Sequence, residues 1–180
     1  CPLPTAVLSS QTGYPSYFCD DYTDRMDKIM DEWKKLDFQP DGIYTGFLAD
    51  AAQADKVVSF IEQFGGENVK ILVDPVMGDD GEEYSIYTEA LCEKMRFLAK
   101  RAAVITPNLT ELFYLLDEPY KADSTDEELK EYLRLLSDKG PQVVIITSVP
   151  VHDEPHKTSV YAYIRNDCRH RQRKHKVYIT

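Results

Sequence analysis

Three short apolar runs constrain the fold of this chain more than any other feature. They are "VKILVDP" at 69–75, "AVIT" at 103–106 and "VVIITS" at 143–148. Each is rich in branched aliphatic residues, is too short for a typical helix and lacks the apolar–polar alternation of a half-exposed strand. The runs therefore predict three strands that are buried on both faces of a sheet.

Amphipathic helices are predicted between these runs, because apolar residues there recur at spacings of three and four. The stripes are Met26–Ile29–Met30–Trp33–Leu36, Ala54–Val57–Val58–Ile61–Phe64, Leu91–Met95–Leu98, Leu109–Leu112–Leu115–Leu116 and Leu129–Tyr132–Leu133–Leu136. Further strands are expected at 3–9, 42–47 and 159–164. Alternating strands and helices with short links predict one domain with a three-layer α/β/α fold and a mainly parallel central sheet.

Polar residues follow the three central runs at the point where each strand is expected to end. They are the stretches 74–79, 106–111 and 147–148. The carboxyl ends of parallel strands share one edge of the sheet, and ligands of such sheets bind beyond that edge. Closely spaced acids such as Asp74 and Asp79 repel one another, so this edge is expected to attract a cation.

Each polar stretch also has a purely local interpretation. Asn108 followed by Glu111 is a capping box, in which the two side chains satisfy free amides at a helix start. The segment "MGDDG" at 77–81 is a good turn sequence, and Thr147 with Ser148 can be a strand end with two hydroxyl groups. No single stretch therefore identifies a function.

Charge and composition exclude several classes of protein. Net charge is −10, and residues 164–180 hold six of the 21 basic residues, which leaves 15 basic and 30 acidic residues in the rest of the chain. Such an acidic body argues against nucleic-acid binding, and a basic end is expected to be solvated. No apolar run approaches the ~20 residues of a membrane span. Neither a P-loop nor a GxGxxG dinucleotide motif is present.

The cysteines and histidines give only weak signals. The cysteines lie at positions 1, 19, 92 and 168 without a CxxC motif, which is typical of reduced thiols in a cytoplasmic protein. The histidine pairs at 152 and 156 and at 170 and 175 lie in polar sequence, which makes a zinc site a minor alternative.

Taken together, the motifs resemble a known family. "DPVMGDDGEEY" at 74–84, "ITPNLTEL" at 105–112 and "VVIITS" at 143–148 are similar, in order and spacing, to the vitamin kinases of the ribokinase superfamily. Within it, "LSSQTGY" at 8–14 and "YTGFL" at 44–48 resemble the pyridoxal (pyridoxamine) kinases more than the hydroxymethylpyrimidine kinases. The resemblance covers residues 3–163.

The resemblance implies transfer of the γ-phosphate of ATP to the 5′-hydroxymethyl group of pyridoxal, pyridoxine or pyridoxamine, by a protein that forms homodimers. It implies Mg²⁺, and a monovalent cation, at Asp74, Asp79, Thr106 and Glu111. It implies ATP contacts at Asp79, Asn108, Glu111, Thr147 and Ser148. It implies vitamin contacts at Thr12, Phe47 and Tyr84.

Two family features have no counterpart in residues 1–180. The family's N-terminal strand does not precede Cys1, and its general base, an Asp in a Gly-rich GTGD-type stretch, is not found. The chain is therefore expected to form a ribokinase-like domain that is incomplete at both ends, with a basic tail at 164–180 and without normal kinase turnover. The alternatives are a hydroxymethylpyrimidine (phosphate) kinase and a non-catalytic α/β binding module.

Overall fold

The computed structural model describes residues 1–10, 14–151 and 157–165, together with the backbone of residues 175–179. The strands are β1 Ala6–Leu8, β2 Cys19–Asp21, β3 Gly42–Thr45, β4 Lys70–Val73, β5 Gly78–Asp79, β6 Glu82–Glu83, β7 Val104–Ile105, β8 Val143–Pro150, β9 Thr158–Ile164 and β10 His175–Ile179. The helices are α1 Thr23–Lys35, α2 Ala51–Phe64, α3 Glu89–Arg101, α4 Leu109–Leu116 and α5 Asp126–Asp138.

Six strands form the central sheet, in the order β10-β9-β8-β7-β4-β3. β3, β4, β7 and β8 pair in parallel, while β9 and β10 continue the sheet as antiparallel strands. The predicted α/β fold with a mainly parallel, helix-flanked central sheet is confirmed. The three apolar runs form the neighbouring strands β4, β7 and β8, as expected.

Burial alternates between the two faces of the parallel strands. One row of paired residues is fully buried and consists of Thr45, Val73, Ile105 and Val144. The next row is half-buried or exposed and consists of Tyr44, Leu72, Val104 and Val143. The chain passes from β3 to β4, β7 and β8 in the order in which these strands neighbour one another, so every crossover moves across the sheet in the same direction. Because such crossovers are right-handed, α2–α5 all lie on one face of the sheet. Equal burial on both faces was therefore a wrong expectation.

The two ends of the chain also differ from expectation. Residues 3–9 do not form a buried strand, because β1 pairs only with β2 in a separate two-stranded sheet that leaves Val7 exposed. The chain at 175–179, in the basic segment for which a solvated end was expected, forms a strand that pairs with β9. Tail residues 166–174 and 180, which include Cys168, and the histidines at 152 and 156 lie outside the described residues.

The helices pack through the predicted apolar stripes, except that Leu36, predicted as the last residue of the first stripe, follows the end of α1 and is exposed. Met26, Met30, Leu91, Met95 and Leu98 are buried in one hydrophobic core with the inner face of the sheet. Helices α4 and α5 begin with complete capping boxes, at Asn108–Glu111 and Thr125–Glu128. Within the described residues, every helix is too short or too polar to cross a bilayer.

The packing of the core predicts that substitution of two leucines changes the free energy of unfolding by very different amounts. Leu98 is fully buried and Leu36 is 76% exposed. We expect Leu98→Ala to lower the free energy of unfolding by about 2–5 kcal/mol, because it removes apolar contacts and leaves a cavity. The matched variant Leu36→Ala is expected to change it by less than about 0.5 kcal/mol. Urea denaturation measures both, and equal losses would contradict the packing described here.

Candidate functional site

Asp74 marks the carboxyl end of β4. Its backbone N–H donates to the carbonyl of Thr45 at 2.9 Å, which continues the pairing with β3. Its carboxylate accepts a hydrogen bond of 3.0 Å from the Tyr44 hydroxyl. Burial raises the pKa of Asp74, and the hydrogen bond from Tyr44 partly opposes that shift. Asp74 is thus a half-buried acid held at the edge where the sheet predicts a ligand.

The sequence "MGDDG" folds as part of a small hairpin directly after β4. Strands β5 and β6 pair antiparallel, with Gly78 opposite Glu83 and Asp79 opposite Glu82. Asp80 and Gly81 form the turn, with φ angles of 48° and 82°. These left-handed angles explain why an Asp-Gly pair stands here. Asp79 and Asp80 are exposed at this turn.

The first turn of α4 holds the hairpin through three side chains. The Asn108 amide donates to the carbonyl of Gly78 at 2.7 Å. The Thr110 hydroxyl accepts from the Gly81 N–H at 2.8 Å, and Glu111 Oε1 accepts from the Met77 N–H at 3.1 Å. The segments "DPVMGDDG" and "TPNLTE", which are about thirty residues apart in the chain, are therefore one structural unit.

Glu111 is the buried acid of this unit. Its side chain is 3% exposed, and its second oxygen, Oε2, accepts from the Asn108 N–H at 2.8 Å. Burial raises its pKa to about 8, and the charges of Asp74 and Asp79 add to the shift, while the two backbone donors oppose it. The predicted capping box therefore forms. Its Glu111 carboxylate lies close enough to Asp74 and Asp79 for their charges to raise its pKa.

Tyr84 follows the hairpin and lies beside the same acids. Burial raises the pKa of its hydroxyl, and the charges of Asp79, Glu111 and Asp74 raise it further. The ring is 38% exposed, so one side is open to solvent. The structure thus gathers Asp74, Asp79, Glu111 and Tyr84 at one edge.

Thr106 directly follows β7, whereas Thr147 and Ser148 lie inside β8, which continues to Pro150, so the prediction that this strand ends at 147–148 is wrong. The Thr106 N–H donates to the carbonyl of Val73 at 3.1 Å, and the Thr147 N–H donates to that of Pro107 at 2.9 Å. Thr147 also bridges to Asn108 as an isolated parallel pair. Ser148 has a φ angle of 55° at a register shift of β8, which turns the strand away from regular pairing. The backbone of these three residues therefore lies at the edge next to α4.

A cavity of about 800 Å³ lies along β3 and includes Phe47 in its lining. Its apolar wall contains Leu3, Met26, Trp33, Ile43 and Phe60. The Thr5 hydroxyl, which also lines it, donates to the carbonyl of Phe47 at 2.8 Å. The Thr45 hydroxyl is buried there without a hydrogen-bond partner. Tyr84 does not line this cavity, and Thr12 lies outside the described residues.

The acidic side chains at this edge suit Mg²⁺ better than a metal ion that takes all of its ligands from the protein. In the described residues, His, Cys, Asp and Glu side chains do not form a group of three that could hold a metal ion by themselves. Mg²⁺ commonly binds one or two carboxylates and takes its other ligands from water and substrate phosphates. Asp79 is exposed and Asp74 half-buried, so both can serve, whereas both oxygens of Glu111 already accept backbone donors.

Sequence reasoning missed four residues of this region. Tyr44 was not predicted to contact Asp74, and Thr45 was not predicted as a buried hydroxyl in a cavity. Thr110, whose hydroxyl accepts the Gly81 N–H, and Tyr120, whose ring packs against Gly81, were not predicted either. Thr110 lies inside the motif "TPNLTE", and Tyr44 and Thr45 lie inside "YTGFL", so these three had a usable signal, whereas Tyr120 had none.

Comparison with known proteins gives the family. The sequence profile described as phosphomethylpyrimidine kinase matches residues 25–178. The chain belongs to the phosphomethylpyrimidine kinase family. Its motifs had indicated a vitamin kinase, and that prediction is confirmed.

Two relatives show how far the similarity extends. A structure of a candidate phosphomethylpyrimidine kinase from Bacteroides thetaiotaomicron, solved with pyridoxal, is 62% identical with a TM-score of 0.91, over 99% of this chain and 61% of that one. A pyridoxine/pyridoxal/pyridoxamine kinase of Bordetella avium is 30% identical over 85% of this chain. This chain spans 52% of the Bordetella protein.

A more distant structure shares the fold. Pyridoxal kinase from Leishmania donovani, solved with ADP and pyridoxamine, is 23% identical with a TM-score of 0.83, over 97% of this chain and 62% of that one. The predicted similarity to pyridoxal kinases is confirmed by these matches.

The buried environment of Glu111 predicts an unusual dependence of stability on pH. The folded-state pKa of about 8 lies above the ordinary value of 4.5, so the unfolded chain loses this proton first as pH rises. In magnesium-free buffer, we expect the unfolding free energy of wild type, relative to Glu111→Gln, to fall between about pH 5 and 8. The slope is on the order of 1 kcal/mol per pH unit.

Glu128→Gln is the matched control, because Glu128 occupies the same capping position in α5 but its side chain is 37% exposed. Hydrogen bonds from Lys121 and Thr125 lower its pKa to about 2, so its stabilising effect is complete above the ordinary value of 4.5 and is lost only as pH falls towards 2. The difference between wild type and Glu128→Gln should be flat between about pH 5 and 8. Identical profiles for the two variants would refute the buried-acid description of Glu111.

Proposed function

We propose that this chain carries the metal-binding and part of the nucleotide- and vitamin-binding surface of an ATP-dependent kinase for B6 vitamers. The observation that carries the proposal is the docking of α4 on the hairpin, which gathers Asp74, Asp79 and Glu111 at the carboxyl edge of the sheet. Phosphoryl transfer depends mainly on the positioning of the phosphates and on the neutralisation of their charge by metal ions. An edge that carries several acids can hold such a metal ion.

In this proposal, Asp74 and Asp79 hold Mg²⁺, with Thr106 as a neighbouring oxygen ligand, and a monovalent cation can share the acidic edge. Bound magnesium would neutralise the charge of the phosphates. Glu111 fixes the Met77 and Asn108 amides, and a cation bound nearby would favour its charged form. Asn108 at the start of α4, and Thr147 and Ser148 at the register shift of β8, face ATP, and the helix N-terminus favours phosphate there.

The vitamin is proposed to bind near β3. Phe47 lines the cavity there. Thr12 and Tyr84 stay vitamin contacts that the family resemblance implies. An aromatic ring with hydroxyl substituents suits a pocket with apolar walls and a few polar groups. The pyridoxal in the Bacteroides relative supports a B6 vitamer as substrate. The name of the same relative favours the second candidate, hydroxymethylpyrimidine phosphate kinase.

Binding and turnover measurements separate these candidates. We expect calorimetry to show binding of ATP only with Mg²⁺ present, and binding of pyridoxal in preference to hydroxymethylpyrimidine. Asp79→Asn is expected to weaken Mg²⁺–ATP at least about tenfold, since it removes a charged metal ligand. The control Asp27→Asn, on the outer surface of α1, should bind like wild type. Preference for hydroxymethylpyrimidine would favour the second candidate, and binding of neither would favour a non-catalytic module.

The same chain should show little phosphate transfer from ATP to pyridoxal, because residues 1–180 contain no GTGD-type base segment. General base assistance is commonly worth ~10²–10⁴ in rate. Turnover at the level of a complete pyridoxal kinase would show that another group in this chain serves as the base. A cytoplasmic location and a homodimer stay predictions of the family resemblance.

A further inference from the structure

The hairpin that carries Asp79 has an anchor that the proposed metal and nucleotide residues do not include. Thr110 is 1% exposed, and its hydroxyl accepts the Gly81 N–H at 2.8 Å. Its methyl group lies close to Gly78, because a Cβ on Gly78 would lie 3.3 Å from Thr110 Cγ2. One buried threonine therefore contacts both ends of the segment 78–81.

The Tyr120 ring covers the other side of Gly81. A Cβ at Gly81 would stand 2.7 Å and 2.8 Å from two ring carbons of Tyr120, so only glycine fits beneath the ring. The ring is held in turn by an edge contact with Phe113 of α4, with a centroid distance of 5.8 Å. Gly81 thus contacts the Thr110 hydroxyl in the first turn of α4 and the Tyr120 ring, which itself packs against α4.

Asp79 depends on this anchor, because its own side chain makes few contacts. It is exposed, and its carboxylate accepts a hydrogen bond of 3.1 Å from the N–H of the neighbouring Asp80. The position of the carboxylate is therefore set by the backbone of the hairpin. A hairpin that moved freely would have to be ordered when the metal binds, which would lower the affinity.

We propose that Thr110 and Tyr120 form a latch over Gly81 that positions Asp79 for the metal–nucleotide complex. The inference rests on the proposed function, since it takes Asp79 as a metal ligand. The latch is separate from the helix cap, because Asn108 and Glu111 make the capping box without Thr110. Loss of the Thr110 hydroxyl should therefore free the hairpin and leave the start of α4 intact.

The test uses Thr110→Val, which keeps the shape of the side chain and removes the hydroxyl, and Thr110→Ser, which restores the hydroxyl. Tyr120→Leu removes the ring as a second route to the same effect. Thr125→Val is the matched control, because Thr125 also accepts a backbone N–H, that of Glu128, but at the start of α5. Three quantities are measured: the melting temperature, hydrogen exchange of the Gly81 amide, and the affinity for Mn²⁺–ATP by water proton relaxation.

We expect Thr110→Val and Tyr120→Leu to speed exchange at Gly81 and to weaken Mn²⁺–ATP binding by about three- to tenfold, the range of one lost hydrogen bond. Thr110→Ser should restore both readouts. Thr125→Val should lower the melting temperature and leave both readouts at the wild-type level. This pattern would separate a positioning role from a general loss of stability.

Other results would overturn the latch. Wild-type Mn²⁺–ATP affinity in folded Thr110→Val and Tyr120→Leu would refute the positioning role and leave the proposed function standing. An equal loss of affinity in Thr125→Val would assign the effect to stability. Failure of the wild-type chain to bind Mn²⁺–ATP would overturn the proposed function and the positioning role together.

Discussion

The docking of the first turn of α4 on the segment that follows β4 is the interaction on which the candidate site depends. Asn108, Thr110 and Glu111 each bind a backbone group of residues 77–81. These bonds join the loop after one strand to the helix after the next. Asp74 is already held by the sheet, but without these bonds Asp79 would have no fixed position relative to the start of α4.

This docking concentrates negative charge in a partly buried place. Glu111 is buried among the charges of Asp74 and Asp79, and the shift of its pKa shows that burial outweighs its two backbone donors. Nearby, Tyr84 and Tyr120 have raised pKa values for the same reasons of burial and neighbouring acids. A bound cation would relieve this repulsion, which is why the edge is better suited to a metal–nucleotide complex than to an uncharged ligand.

Much of this arrangement could be predicted from local sequence. The runs that form β4, β7 and β8 were recognisable because each is continuous and aliphatic, and the capping box was visible in the spacing of Asn108 and Glu111. The contacts of Thr110 with Gly81 and of Tyr44 with Asp74 were not predictable, since they join residues about thirty apart. The segment 3–9 was misassigned because its apolar residues resemble a core strand, whereas its partner β2 is short and polar.

The position of bound Mn²⁺–ATP tests the central claim most directly. Paramagnetic broadening of backbone amide signals reports which residues lie near the metal. The account predicts that the amides of residues 77–81 and 108–111 broaden first, while those of residues 38–41, at the opposite end of β3, keep their intensity. Broadening at 38–41, or uniform broadening along the chain, would contradict the assignment of this edge as the metal–nucleotide site.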